Sequence, residues 1–218
     1  MSTNDLFEAI HSLRAMRRLK PDPVPDELID RVLAAGTQAP SGQNTQPWRF
    51  LVVRDEEGKR FIQQRYHAAM MSRFGQFLPL PDDVDIPEAR NLRASMYLSE
   101  HLHEAPVLLM VCGQRDWPAS TPEAERVAKA PPSYGSIYPC VQNILLACRA
   151  LGLGASLTTA HALFHDELAE YLGVPDDFGM VAMVPIGYPR GKFGPVSRNP
   201  VAEVAYDDRW GRARNSGG

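Results

Sequence analysis

Three short apolar runs constrain what this chain can fold into more than any other feature of its sequence. They occupy residues 48–55, 105–113 and 181–188, are rich in β-branched residues, and are bounded by proline, glycine or charge. Runs of this length and composition are typical of buried strands. We therefore predict three strands at the centre of the fold.

Helical patterns precede and separate these runs. Apolar residues at helical spacing from Leu6 to Leu13 predict a first helix that ends near Met16. A second helix is predicted to begin after Pro25, with two acidic residues in its first turn, and to end at Gly36. Further helices are predicted at residues 57–71, 87–103, 136–151 and 166–172. The order of elements is therefore mixed α and β.

Length, composition and charge exclude several kinds of protein. The 218 residues favour one large domain, and a net charge of −3 gives no electrostatic attraction for nucleic acid. The opening segment MSTNDLFEAIHSLRAMRRLK lacks the apolar stretch of a signal peptide, and no later run approaches the roughly 20 apolar residues of a membrane span. We expect a cytoplasmic protein with neither a nucleic-acid nor a membrane partner.

A basic segment, HSLRAMRRLKP, follows the first predicted helix. It places Arg14 and Arg17 three residues apart on one side of the helix end, with Arg18 and Lys20 after them. Such a cluster is either a solvated basic face or part of a phosphate clamp, because guanidinium groups bind phosphate bidentately. Composition alone leaves both interpretations open, and a clamp needs further donors from elsewhere in the chain.

Two glycine-containing segments resemble nucleotide-binding loops but depart from them at decisive positions. In YPRGKFGPVSRNP only three residues separate Gly187 and Gly191, and Phe193 stands where a serine or threonine would hold magnesium. GLGASL follows a predicted helix rather than a strand, and Leu157 replaces the third glycine of a dinucleotide fingerprint. We therefore interpret GLGASL as a helix stop before a strand.

The histidines and cysteines form no motif for a metal or a nucleophile. His161 and His165 are four residues apart, but HALFH lacks the glutamate of a metalloprotease and no third ligand is evident. Cys140 has no activating base in the nearby sequence, and three cysteines without a CxxC pair favour buried thiols over a disulfide framework. We expect no metal site and no side-chain nucleophile.

The segment APSGQNTQPWRFLVVRD carries more hydroxyl and amide side chains than a turn before a strand requires. It is preceded by RAMRRLKPDPVP and followed by YPCVQNILLACRALGLGAS and IGYPRGKFGPVSRNP. In this order the segments resemble the FMN-dependent nitroreductase family. The resemblance spans about residues 9–210, and APSGxNxQPWxF is its most specific element.

The resemblance implies an architecture. It implies an α+β fold with a mixed or antiparallel central sheet flanked by helices, in a single domain over residues 1–218. It also implies an intertwined homodimer with two FMN sites at the interface. In this family a C-terminal tail, here residues 195–211, extends over the partner subunit, and residues 212–218 are expected to be disordered.

The resemblance further assigns flavin contacts to the polar loop. Ser41, Gly42, Asn44 and Gln46 would hydrogen-bond the flavin, and Trp48 would start the strand that holds the loop. The buried nitrogens and carbonyl oxygens of a flavin need partners of this kind.

Phosphate binding is implied for arginines at both ends of the chain. Arg14, Arg17 and Arg198 would hold the FMN phosphate through charge-assisted hydrogen bonds. Many relatives read Arg-Arg-Ser-x-Arg where this chain reads LRAMR, so Ala15 occupies a cofactor contact without a serine hydroxyl.

Two other pairs complete the implied cofactor site. Arg18 and Lys192 are the residues that could compensate for the missing arginine and serine. GASLTT lies where the family passes backbone amides by the reactive edge of the flavin, which makes Leu157 and Thr158 main-chain contacts.

The implied activity follows from the cofactor, since flavin carries the hydride and electron chemistry and no side chain needs to be catalytic. NADH or NADPH would reduce the protein, and a nitroaromatic, quinone or activated alkene would then be reduced in a ping-pong cycle. Loops 74–87 and 116–133 would shape the acceptor pocket, with Tyr134 and Tyr138 as ring-stacking residues. A flavin-cannibalising or dehalogenating enzyme and a non-catalytic flavin-binding protein remain alternatives.

Overall fold

A computed structural model describes residues 3–81, 83–118, 120–128 and 130–214, with side chains from Leu6 onward. The chain divides into two compact units. The larger is Ala15–Lys192, and the smaller combines Met1–Arg14 with Phe193–Gly218.

The larger unit is built on an antiparallel sheet. Within the described residues it has four strands, β1 (Trp48–Val53), β2 (Val107–Gln114), β3 (Gly154–Ala155) and β4 (Phe178–Gly187), in the order β1-β2-β4-β3. Every pairing is antiparallel, and Met110 of β2 lies opposite Leu51 of β1 and Met183 of β4. The predicted α+β fold is confirmed, with an antiparallel rather than a mixed sheet.

Seven α-helices accompany these strands in the part of the chain that the structure describes. They are α1 (Thr3–Ser12), α2 (Asp26–Gly36), α3 (Glu56–Phe74), α4 (Pro87–His101), α5 (Tyr134–Ala150), α6 (His165–Leu172) and α7 (Val201–Val204). The helices predicted from periodicity are therefore present, with ends that differ by at most four residues. Within the larger unit, α2 through α6 belong to the same body as the sheet.

The main core lies between the sheet and the helices α2 and α5. Val107, Leu109 and Val111 of β2 are fully buried in this core, and the alternating Leu108 and Met110 are fully buried as well. Because successive strand residues point to opposite faces, both faces of β2 are covered. The sequence of β2 is therefore apolar at successive positions instead of alternating between apolar and polar residues.

A glycine sets the approach of α2 to α5. A Cβ at Gly36 would lie 2.8 Å from Cγ1 of Ile144 and 3.2 Å from Sγ of Cys140. A side chain at this position would therefore push the helices apart. Gly36, the predicted end of α2, is therefore also the residue at which α5 packs closely against α2.

The basic segment is not helical, which corrects one prediction. Helix α1 ends at Ser12 rather than near Met16, so Arg14 and Arg17 do not share the side of a helix. The backbone N–H of Met16 donates to Ala155 O (2.9 Å), and that of Lys20 donates to Tyr188 O (2.7 Å). Pairing with the edge formed by β3 and the end of β4 satisfies these groups and replaces the helical hydrogen bonds.

Strand β4 begins three residues before its predicted start. Phe178 and Gly179 pair with Gln114 and Gly113 at the end of β2. The partner strand therefore extends β4 into a segment whose own composition is not typical of a strand.

The smaller unit contains α1, α7 and the end of the chain. Tyr206 forms a β-bridge with Ala213, and its ring lies 5.0 Å from the ring of Trp210. The expected disordered end at residues 212–218 is described as far as Arg214, and Ala213 is paired. Residues 215–218 lie outside the described residues.

In the part of the chain that the structure describes, no helix has both the length and the apolar composition needed to span a bilayer.

Candidate functional site

The polar loop before β1 has a left-handed backbone at three positions. Gln43, Asn44 and Gln46 have φ values of 51°, 56° and 49°, and their side chains are exposed. Left-handed conformations are unfavourable for residues with a Cβ and concentrate at functional sites. The loop therefore holds its amide side chains outward at a cost in backbone energy.

Hydrogen bonds keep this loop in place. The hydroxyl of Ser41 accepts from the backbone N–H of Gln46 (3.1 Å), and the N–H of Gly42 donates to Oγ of Ser136 at the start of α5 (3.2 Å). Trp48, 5% exposed, begins β1 as predicted. The loop is thus fixed by its own serine, by α5 and by a buried tryptophan.

A second group of predicted residues lies beyond β3. Thr158 pairs with Met183 of β4 through two backbone hydrogen bonds of 2.9 and 3.0 Å. Its hydroxyl lies 3.0 Å from the phenol oxygen of Tyr66 in α3. Burial raises the pKa of Tyr66, while Thr158 and the charge of Arg17 oppose that rise. The structure thus brings Arg17 and Thr158 together around a buried tyrosine, and Leu157 stands next to them with its side chain exposed.

These two groups lie at separate places on the sheet. The loop is bonded to Gln114 through Pro47 O (2.8 Å), and Gln114 pairs with Phe178, whereas Thr158 pairs with Met183. The five-residue offset along β4 corresponds to about 17 Å at about 3.4 Å per residue. Within one chain, the polar loop and Thr158 are therefore attached at different points along β4.

Two residues near Thr158 went unnoticed in the sequence. Ser156 is buried, and its hydroxyl has no hydrogen-bond partner among the described residues. Tyr66 has the spacing of an ordinary core residue of α3, so no sequence signal distinguishes it. Ser156 lies within GASLTT, where the resemblance pointed to backbone contacts only.

The remaining predicted cations differ in their surroundings. Arg14 and Arg198 are exposed residues of the smaller unit, and Nη1 of Arg198 donates to Ser197 O (2.8 Å). In the larger unit, the guanidinium of Arg18 lies 3.9 Å from the ring centre of Tyr97. Ala15 and Lys192 are exposed in the same unit.

The two histidines of HALFH flank one strand residue. Nε2 of His161 donates to Met180 O (3.0 Å), and the N–H of Met180 donates to Nε2 of His165 (3.4 Å). Burial lowers the pKa of His161, which favours its neutral form. Both imidazoles thus satisfy backbone groups of β4.

The three cysteines are buried free thiols, as predicted. Burial raises the pKa of Cys140 to about 11. A thiol with this pKa is protonated at neutral pH and is a poor nucleophile.

Two cavities adjoin the loop after β2, and one of them also adjoins the polar loop. One, of about 380 Å³, is lined by Gly42, Gln43 and Thr45 together with residues 114–116. The other, of about 320 Å³, is lined by the start of β4 and by Tyr134. The ring of Tyr138 meets that of Tyr134 edge to face at 5.6 Å. Of the two predicted pocket tyrosines, Tyr134 lines this cavity directly.

The antiparallel α+β fold and the strained polar loop agree with the family that the motifs indicated. The sequence model of the Nitroreductase family matches residues 10–188. The chain therefore belongs to the nitroreductase family.

Two kinds of relative are among the similar proteins. Rat iodotyrosine deiodinase 1 is 28% identical over 194 residues, covering 87% of this chain and 64% of that protein. A protein named NADH dehydrogenase from Thermus thermophilus is 29% identical over 197 residues, covering 88% of this chain and 90% of that protein. The chain thus spans less than two thirds of the length of the deiodinase.

A solved structure shows the same fold. The crystal structure of an oxidised iodotyrosine deiodinase bound to FMN and 3-iodo-L-tyrosine superposes with a TM-score of 0.69 at 26% identity. The match covers 89% of this chain and 95% of that one.

Proposed function

We propose that this chain is an FMN-dependent NAD(P)H oxidoreductase that reduces nitroaromatic, quinone or activated-alkene acceptors. The observation that carries the proposal is the loop of residues 41–46, whose exposed amides are held by a left-handed backbone. Strain of this kind is retained where the surrounding structure and a function require it.

The residues present fit the polar parts of FMN. The side chains of Ser41, Asn44 and Gln46 offer donors and acceptors, and the carbonyl of Gly42 offers a second acceptor lone pair. The edge of a flavin ring presents both kinds of group. The buried hydroxyl of Ser156 lacks a partner among the described residues, close in sequence to Thr158. An orphaned buried hydroxyl is unfavourable, and a bound polar group would satisfy it.

Assembly of one cofactor site from these residues calls for a second copy of the chain. The polar loop and the group of Arg17 and Thr158 are offset by about 17 Å along β4 of the same chain. We propose a homodimer in which the loop of one subunit faces Thr158 of the other. Exposed apolar residues of the smaller unit, such as Phe7 (55%) and Trp210 (91%), support an interface that covers them.

The roles of this chain's residues follow from their chemistry. When bound, FMN supplies the hydride and electron transfer. Arg14, Arg17 and Arg198 would neutralise its phosphate, since guanidinium groups stay charged and bind phosphate bidentately. Main-chain groups of Leu157 and Thr158 would line the ring.

Substrate access would be controlled elsewhere in the chain. Tyr134 and Tyr138 would stack against the nicotinamide or the acceptor, which would use the pocket in turn, in ping-pong order. Loops 74–87 and 116–133 would exclude water from that pocket. We further propose that residues 1–218 act as one nitroreductase-like domain, with the tail of residues 195–211 extending over the partner subunit.

Reductive dehalogenation is the second candidate. It is favoured by the 28% identity to rat iodotyrosine deiodinase 1 and by the superposition on a deiodinase bound to 3-iodo-L-tyrosine. The Thermus relative named NADH dehydrogenase, covered over 90% of its length, favours nicotinamide oxidation instead. A non-catalytic flavin-binding protein is the third.

One experiment separates these candidates. The purified chain is reconstituted with FMN or FAD and titrated anaerobically with NADH and NADPH while the flavin absorbance is followed. We expect FMN to be retained and bleached by a nicotinamide, and a nitroaromatic or quinone to restore its colour. Retention of FAD alone would overturn the cofactor assignment. FMN that no nicotinamide reduces would support a binding protein, and iodide release from 3-iodotyrosine would support a dehalogenase.

A further inference from the structure

The cavity of about 320 Å³ at the start of β4 carries arginine side chains whose charge the proposed acceptor pocket does not use. It lies between β4, the first turn of α5 and the start of α6, and the loop after β2 contributes Arg115, Trp117 and Arg126. Two arginines and an aromatic pair in one cavity indicate a ligand that is both aromatic and anionic.

Arg115 is held in place before any ligand arrives. Its Nε donates to Asp176 O and Phe178 O, both at 3.1 Å, and its backbone N–H donates to Asp177 O (2.8 Å). The guanidinium lies against Gly179, where a Cβ would be 3.2 Å from Cζ. The glycine thus makes room for a charge whose position is set by the backbone. Such a preplaced charge needs little reorganisation on binding.

Arg126 supplies a second positive charge at the cavity. Its guanidinium lies 5.8 Å from the ring centre of Trp117, and its Nε donates to Thr121 O (3.3 Å). Neither Arg126 nor Arg115 forms an ion pair within residues 3–81, 83–118, 120–128 and 130–214. The two arginines are therefore opposed by one carboxylate, that of Asp116, among the residues that line the cavity.

The other polar groups of the cavity are already engaged. The carboxylate of Asp116 accepts from the backbone N–H of Ser133 at 3.1 and 3.2 Å. His165 accepts from Met180 through Nε2, and its Nδ1 lies 3.2 Å from Oδ1 of Asp166. A hydrogen bond to a neutral N–H leaves the charge of Asp116 in place, so the lining has two positive charges and one negative charge.

The apolar surface comes from aromatic rings. Trp117 and Tyr134 line the cavity, and burial raises the pKa of Tyr134, so its hydroxyl remains a donor at neutral pH. The volume lies at the lower end of the range for small-molecule pockets, which matches a single substituted ring.

We propose that this cavity binds a small aromatic carboxylate, with the ring against Trp117 and Tyr134 and the carboxylate between Arg115 and Arg126. The proposal rests on the proposed function, since Tyr134 and the loop of residues 116–133 line the same pocket, and it adds a negative charge to the ligand that this pocket prefers.

The test uses 4-nitrobenzoate and its neutral analogue 4-nitrobenzamide as probes of equal ring and size. Both are titrated calorimetrically into the purified full-length chain, in the form in which it is isolated and without reductant. We expect the carboxylate to bind at least tenfold more tightly than the amide, with a preference that weakens as salt is raised.

Matched variants locate the charge responsible. Arg126→Gln should abolish most of the preference for the carboxylate, and Arg31→Gln, which removes the same charge from the exposed face of α2, should leave it unchanged. Equal affinity for the two probes would overturn the proposal. An equal loss in both variants would overturn it as well, since it would indicate a response to net charge alone. Because Arg126 is exposed on a loop, its replacement is not expected to unfold the chain.

Discussion

The phenol oxygen of Tyr66 lies 3.0 Å from the hydroxyl oxygen of Thr158, and this contact joins α3 to the segment that follows β3. Tyr66 is 3% exposed, so its hydroxyl has few alternatives to this partner. The backbone of Thr158 is bonded to β4 in both directions. Thr158, a predicted flavin contact, is therefore held by β4 through its main chain and by α3 through its side chain.

Replacing Tyr66 with phenylalanine should destabilise the chain by about 1 kcal/mol, because one buried hydrogen bond is lost while the ring remains. FMN affinity should fall as well, since the Thr158 hydroxyl loses its fixed orientation. Urea unfolding and flavin fluorescence titration measure the two effects. Tyr171→Phe is the control, because Tyr171 is 40% exposed and packs through its ring on Phe61. Equal effects of the two variants would refute a specific role for the Tyr66 hydroxyl.

Removing the charge of Arg17 or Arg198 should weaken FMN binding by about 10- to 100-fold in each variant, corresponding to about 1.5–3 kcal/mol for a charge-assisted hydrogen bond. The variants Arg17→Gln and Arg198→Gln are compared with Arg31→Gln on α2. Flavin fluorescence reports the affinity, and circular dichroism reports the fold. An unchanged affinity of Arg198→Gln for FMN would show that Arg198 is a solvated surface residue with no role in phosphate binding.

Glycine substitutions in the polar loop should separate stability from binding. Gln43 and Gln46 both have left-handed backbones, so Gln43→Gly and Gln46→Gly should each stabilise the chain by up to about 1 kcal/mol. Only Gln46 is a predicted flavin contact, and only its variant should bind FMN more weakly. Thermal unfolding of the flavin-free protein and FMN titration provide the two readouts. Equal FMN affinities in the two variants would remove Gln46 from the site.

The buried thiols predict a loss of stability at high pH. Burial raises the pKa of Cys148 to about 12, above its ordinary value of 9.0. The folded state then keeps the thiol proton where the unfolded state releases it, so stability is full below pH 9 and falls as the pH rises toward 12. Urea unfolding at several pH values measures this slope, and Cys148→Ala should make it shallower. An unchanged slope in the variant would assign the loss to other groups.

Truncation after Gly194 should lower both dimer stability and FMN retention, because we propose that one tail serves the interface and carries Arg198. Light scattering and flavin content are measured on the full-length chain, on the truncated chain, and on a control truncated after Arg214. A chain truncated after Gly194 that stays dimeric and fully flavinated would show that the tail is accessory. The interface would then be sought at α5.

Local pattern determined much of this fold from the sequence alone. The apolar runs predicted β1, β2 and β4, and the acidic start and glycine end of α2 predicted its bounds, since strand and helix periodicity depend on neighbouring residues. The density of amides before Trp48 marked the polar loop. The family resemblance rested on the same short segments and was confirmed by the match over residues 10–188.

Only the tertiary structure decided the features that depend on residues far apart in the chain. Helix α1 stops at Ser12 because Met16 and Lys20 find hydrogen-bond partners at Ala155 and Tyr188, and no pattern within the segment shows them. The contact of Tyr66 with Thr158 spans 92 residues, and the offset between the polar loop and Thr158 arises from strand register. Backbone groups that must be satisfied and side chains that must be buried select partners across the whole fold, and that selection is absent from any local stretch of sequence.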